Sequence, residues 1–124
     1  MNPRGKKPFS IRARLASVDH ALRGIGLFVS TTHNAWVEIF FAALAAVCGF
    51  YCSISSGEWL ALTVSFGVLI MAEGLNTAIE VHMNLTSPEE HPAARDTKDI
   101  AAGAVFIAAL TTFVVCAIIF LPKL

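Results

Sequence analysis

Residues 100–121 read IAAGAVFIAALTTFVVCAIIFL, a run of 22 positions without one charged side chain. At about 1.5 Å per residue, a helix of this length crosses the roughly 30 Å of hydrocarbon in a bilayer. Residues 39–54 and residues 59–72 form two further uncharged runs, and the second continues through a polar stripe to about Met83. A soluble core helix would carry a charged face, which these runs almost lack. The sequence therefore predicts an all-α membrane protein with three transmembrane helices.

The 124 residues, 56% hydrophobic and 15% charged, fit one integral membrane domain. Apolar residues recur at steps of four and three from Ile11 to Val29, which predicts an amphipathic helix that is too charged to span. Such a helix lies in the membrane interface, although a helix packed on a partner chain has the same pattern. The predicted parts are a basic tail (1–8), the surface helix (9–30) and transmembrane spans at about 36–55, 59–83 and 98–121.

The basic residues are distributed asymmetrically along a chain of zero net charge. Six of the nine Lys and Arg precede residue 24, none lies in the connection at 53–58, and the second connection holds Arg95 and Lys98. The positive-inside rule places the N-terminus and the second connection in the cytoplasm. Within that connection, Ser87 followed by Pro88 and two acids predicts a helix start.

Three polar residues interrupt the second apolar run: Glu73, Asn76 and Glu80. On a helix, Asn76 lies about 60° and Glu80 about 20° from Glu73 around the axis, so all three share one face. An acidic residue in a spanning helix costs about 2–3 kcal/mol even on lenient scales, so it usually has a purpose. The stripe is suited to binding a divalent cation or accepting a proton. A structural polar contact between helices is the alternative.

Three segments resemble the small bacterial membrane lipid kinases, the prokaryotic diacylglycerol kinase and undecaprenol kinase family. They are EGLNTAIE at 73–80, SPEEHP at 87–92 and KDIAAGAV at 98–105. The resemblance covers roughly residues 14–124, with weaker similarity at Arg23-Gly24-Ile25 and at residues 33–36.

The resemblance implies an enzyme that uses ATP and Mg²⁺ to phosphorylate a membrane lipid alcohol, either diacylglycerol or undecaprenol. It further implies a homotrimer in the bacterial inner membrane, with active sites between protomers on the cytoplasmic side, and no nucleic-acid partner. No phosphate-binding Gly-x-x-x-x-Gly-Lys loop is present, so a P-loop enzyme is excluded.

The matching positions imply a role for each candidate residue. Glu73 would be the base near the lipid hydroxyl, Asn76 would orient the reacting groups and Glu80 would bind the metal. The nucleotide-binding candidates are Lys98 at the phosphates and Asp99 at the nucleoside, together with Asn84, Arg14 and Arg23.

The chain departs from the family pattern at three positions. Thr32 occupies the position of a second metal-binding glutamate, Asn84 that of an aspartate, and Glu38 that of a histidine. Either a water and Glu80 hold Mg²⁺, or Glu38 compensates, or catalysis is weakened. The last case leaves a catalytically impaired member that binds lipid or partners as the alternative function. A small transporter is a third hypothesis, but the sequence lacks the repeats typical of one.

Overall fold

A computed structural model describes residue 5 and residues 7–124, and this part of the chain forms four α-helices. Most of the predicted basic tail, residues 1–4 and 6, lies outside the described residues. The helices are α1 (Ile11–Thr31), α2 (His33–Cys52), α3 (Ser56–Thr86) and α4 (Pro92–Phe120), and a 3-10 turn follows at Leu121–Lys123. The last three helices are long and apolar enough to cross a membrane, which confirms an all-helical chain with three candidate transmembrane helices.

The middle of the bundle is α3, which packs along α4 on one side and along α2 on the other. Small residues such as Ala45 and Ala108 let the helices approach closely, as is usual in lipid. The buried Thr112 hydroxyl donates to the Ala108 carbonyl of its own helix and lies 3.2 Å from the Ser65 carbonyl of α3. In contrast, α2 and α4 contact each other only weakly.

The connection between α2 and α3 is short and well capped. Ser53 takes the left-handed conformation (φ 51°) that ends α2. The Ser55 hydroxyl accepts from the Glu58 backbone N–H, and the Glu58 carboxylate accepts from that of Ser55, which together form a capping box. The same carboxylate pairs with Lys123 at 2.9 Å, so the end of the chain is tied to the start of α3.

The predicted helix start at Ser87 is wrong, because α4 begins at Pro92. Ser87 instead ends α3, since its N–H donates to the Met83 carbonyl at 2.8 Å. His91 is the N-cap of α4, and its Nδ1 accepts from the Ala93 N–H at 3.1 Å. Pro92 then occupies the first helical turn, where its missing N–H costs nothing. As a result, α4 starts six residues before the predicted third span.

A single non-helical residue, Thr32, separates α1 from α2. No residue of α1 is buried, and apolar side chains along it, including Leu15 and Leu22, are more than half exposed. The joint therefore anchors α1 at its C-terminal end only.

Candidate active site

The polar stripe lies on one uninterrupted helix, because α3 runs without a break from Ser56 to Thr86. Glu73, Asn76 and Glu80 therefore share a face, and their burial falls stepwise along it. Glu73 is only 3% exposed, Asn76 is half-buried and Glu80 is exposed. The stripe thus leads from the interior of the bundle to its surface.

Glu73 has few polar partners for so deeply buried a residue. Its carbonyl accepts a hydrogen bond from the Thr77 hydroxyl at 2.9 Å. Among the described residues, no hydrogen bond reaches its carboxylate. A carboxylate that receives no hydrogen bond from the protein is free to accept one from a hydroxyl placed beside it.

The joint between α1 and α2 lies against this stripe. The Thr32 hydroxyl makes no cap bond and instead lies 3.4 Å from the Thr77 hydroxyl, one turn beyond Glu73. Beside it, Gly74 faces α1, and a Cβ there would make an ordinary van der Waals contact of 3.9 Å with Phe28 Cε2. The structure therefore brings Thr32 to the part of α3 that carries both glutamates.

A second acid faces Glu73 from α2. The Oε2 atom of Glu38 is buried without a hydrogen-bond partner among the described residues. Its carboxyl is close enough to Glu73 for the two charges to repel each other. The sequence marked Glu38 only as a departure from the family pattern, and its position next to Glu73 depends on how α2 packs on α3.

A polar pocket of about 660 Å³ lies between the end of α3 and the start of α4. Three of the predicted nucleotide-binding residues, Asn84, Lys98 and Asp99, line it, and Lys98 Nζ donates to Asn84 Oδ1 at 2.5 Å. The connecting loop supplies lining residues that sequence reasoning missed, among them Glu89, Glu90 and His91. The SPEEHP segment was their only signal, because a loop sequence does not indicate which way its side chains turn.

The remaining candidates are not gathered at this pocket. Glu73, Asn76 and Glu80 do not line it, and neither does any described residue of α1. Arg23 is exposed, and Arg14 lies with its guanidinium 5.6 Å from the centre of the Phe9 ring. In the described part of the chain, no three His, Cys, Asp or Glu side chains cluster closely enough to hold a metal.

Comparison with known proteins places the chain in a family. The family described as prokaryotic diacylglycerol kinase matches residues 19–120. The undecaprenol kinase of Bacillus subtilis is 38% identical over 105 residues, which cover 85% of each chain. The diacylglycerol kinase of a Synechocystis species is 28% identical over an alignment that covers 98% of this chain and 74% of that one. The chain therefore belongs to the prokaryotic diacylglycerol kinase family, a family of lipid kinases.

Proposed function

We propose that the protein transfers the γ-phosphate of ATP to the hydroxyl of a membrane lipid alcohol, either diacylglycerol or undecaprenol. One observation carries the proposal. The helix that holds the buried Glu73 carboxylate ends at a polar pocket containing Asn84 and Lys98. A greasy alcohol and a charged nucleotide must meet at such a boundary between protein interior and water.

The depths of Glu73 and Asn84 along α3 suit a lipid alcohol at the first residue and a nucleotide at the second. If Trp59 lies at the outer membrane surface, then about 30 Å of hydrocarbon ends near residue 79. Glu73 lies about 21 Å from Trp59 along the axis, and Asn84 lies about 38 Å from it. On this scale Glu73 lies about 9 Å inside the inner edge of the hydrocarbon, where it can meet a lipid alcohol, and Asn84 lies about 8 Å beyond that edge.

The proposed chemistry assigns one task to each of these groups. Glu73 accepts the proton of the alcohol, the alcohol oxygen forms its bond to the γ-phosphorus, and the bond to ADP breaks with its electron pair on ADP. Lys98 contributes a cation beside the phosphates, where phosphoryl transfer is accelerated mainly by placing charge. Asn76, between the two glutamates, orients the reacting groups. Asp99 binds the nucleoside end.

The exposed Glu80 carboxylate suits Mg²⁺, which needs only one or two carboxylates because it keeps waters and takes phosphate oxygens. Thr32 offers a neutral hydroxyl nearby, and its contact with Thr77 at 3.4 Å is long enough to be given up. Bound Mg²⁺ would neutralise charge on the triphosphate.

We further propose a homotrimer in the bacterial inner membrane, with the N-terminus and the pockets on the cytoplasmic side. The apolar side chains of α1 are exposed, which supports a helix lying in the membrane interface. Arg14 and Arg23 on that helix would contribute to nucleotide binding.

A direct assay tests the activity: purified protein in mixed micelles, labelled ATP, and a panel of diacylglycerols and polyprenols, with and without Mg²⁺. We expect a labelled lipid phosphate that requires both the lipid alcohol and Mg²⁺. Binding of lipid without phosphate transfer would instead support the alternative, a catalytically impaired family member, for which the replacement by Thr32 is the specific observation.

A further inference from the structure

A groove of about 540 Å³ opens between α2 and α4, where these helices fail to pack against each other. Phe66 and Leu69 of α3 form its floor, and its walls are mostly apolar, with Phe41 and Phe113 on opposite sides. It follows α2 from Asn34 to Cys48, which is about 21 Å along the helix axis. The length and the apolar lining of the groove therefore match those needed to hold a hydrocarbon chain.

One end of this groove is polar. Glu38 lines it near the cytoplasmic end, and its Oε2 atom is buried without a hydrogen-bond partner among the described residues. Glu73, 3% exposed, lies close enough to repel it and also receives no hydrogen bond at its carboxylate from the described residues. The buried Glu38 Oε2 acceptor, without a donor at the end of an apolar groove, calls for a ligand that brings a donor.

We propose that this groove holds the hydrocarbon chain of the lipid alcohol and that Glu38 accepts a hydrogen bond from its hydroxyl. This inference rests on the proposed function and adds a binding groove and a positioning residue to it. In the bound complex the hydroxyl donates to Glu38. Rotation about its C–O bond then turns the proton to Glu73, which accepts it during transfer.

The polar end of the groove favours a lipid alcohol over a second copy of the chain. An apolar helix face from a neighbouring protomer would cover Phe41 and Phe113 but would leave Glu38 Oε2 without a donor. An acyl chain of an ordinary bilayer lipid would also leave Glu38 Oε2 without a donor. A long-chain alcohol satisfies both parts of the groove at once, because it carries one hydroxyl at the end of a hydrocarbon chain.

The first test measures binding in the absence of ATP. A long-chain alcohol with a diazirine in its chain is photolysed with the full-length protein in micelles, and the labelled peptides are identified. We expect labels within residues 37–48 and 109–120. Labels confined to other helices would overturn the proposal, as would a groove that is unlabelled and cross-linked to a second copy.

The second test isolates Glu38 by pairing two ligands with two variants. In the wild type, unlabelled alcohol should compete at roughly tenfold lower concentration than its O-methyl ether, which cannot donate. In Glu38→Leu the two competitors should become equal, and Glu38→Gln, which keeps an acceptor oxygen, should restore part of the difference. Equal competition in the wild type would refute the role of Glu38.

A third test blocks the groove itself. Ala109 lines the groove on its exposed side, whereas Ala104 is exposed on the same helix but does not line it. Ala109→Trp should reduce photolabelling at least fivefold, and Ala104→Trp should not change it. Because no arm of these tests uses ATP, labelling can succeed while the kinase assay fails. If Ala109→Trp keeps kinase activity and its labelling is unchanged, the proposed binding groove is wrong but the proposed function stands.

Discussion

Glu73 and Glu80 lie on the same face of α3 but in very different surroundings, one buried and the other exposed. A buried carboxylate with no donors keeps its acceptor strength for a substrate, whereas an exposed one can take a hydrated cation at little cost. The difference in burial separates the two proposed roles, proton acceptor and metal ligand, more sharply than the sequence does, because both residues are glutamates within one motif.

Replacing either glutamate by glutamine should therefore stop turnover for different reasons. Glu73→Gln removes the proton acceptor, and we expect kcat to fall by about 10² or more with little change in the Mg²⁺ requirement. Glu80→Gln should cause a similar fall in rate but should also raise the Mg²⁺ concentration needed for half-maximal activity. Initial rates across a Mg²⁺ titration distinguish the two. Normal activity in either variant would remove its assigned role.

Thr32 gives a gain-of-function test at the metal site. Because its hydroxyl lies against Thr77, between the two glutamates in sequence, Thr32→Glu would place a carboxylate beside the stripe. We expect it to lower the Mg²⁺ concentration for half-maximal activity about tenfold if the missing charge limits metal binding. Thr32→Gln, of the same size but neutral, is the matched control. An unchanged Mg²⁺ dependence would mean that another group already serves that position.

At the element scale, α2 and α3 pack closely at the end of the bundle away from the pocket. A Cβ on Gly49 would lie 2.7 Å from Trp59 Cη2 and 3.0 Å from Ile54 Cδ1. The indole cannot easily move aside, since the Phe50 ring packs against it with centroids 4.7 Å apart. Gly49 therefore sets the distance between α2 and α3 at the end of the bundle away from the candidate active site.

Gly49→Ala should destabilise the protein by about 1–3 kcal/mol, the usual result of overpacking. Gly67→Ala is its control, because nothing lies within 4 Å of a Cβ there and alanine is the better helix former. Thermal unfolding in one detergent, followed by circular dichroism, compares the two. Equal unfolding temperatures would show that the contact between Gly49 and Trp59 does not bear on stability.

The helical segments were predictable because uncharged runs of membrane length have few alternatives in lipid. The family motifs supplied Glu73, Lys98 and Asp99 as candidate site residues, and their roles stay predictions. The exact helix starts were less predictable. Ser87-Pro88 and His91-Pro92 both carry start signals, and only the end of α3 at Thr86 decides between them. The approach of Glu38 to Glu73 depends on the rotation of α2 against α3, which periodicity along one helix does not determine.

At the scale of the whole molecule, α1 does not contribute to the polar pocket between α3 and α4 of its own chain. Its contact with α3 is at Phe28 beside Gly74, near its C-terminal end. Arg14 lies 14 residues earlier, which is about 21 Å along the helix and beyond the reach of a side chain from that contact. No described residue of α1 lines the pocket. If Arg14 binds nucleotide, the proposed homotrimer offers the pocket of a neighbouring protomer as the place where it binds.

Cysteine cross-linking tests this arrangement in a variant whose native cysteines are replaced. Ser17→Cys with Glu90→Cys pairs exposed positions on α1 and in the pocket loop, so a bismaleimide should join neighbouring chains into covalent dimers and trimers. Phe28→Cys with Gly74→Cys is the control within one protomer, because a Cβ on Gly74 lies 3.9 Å from the Phe28 ring, and it should remain monomeric on a denaturing gel. Monomers from the first pair, joined within one chain, would show that α1 folds back over its own pocket. The site would then be complete without a partner.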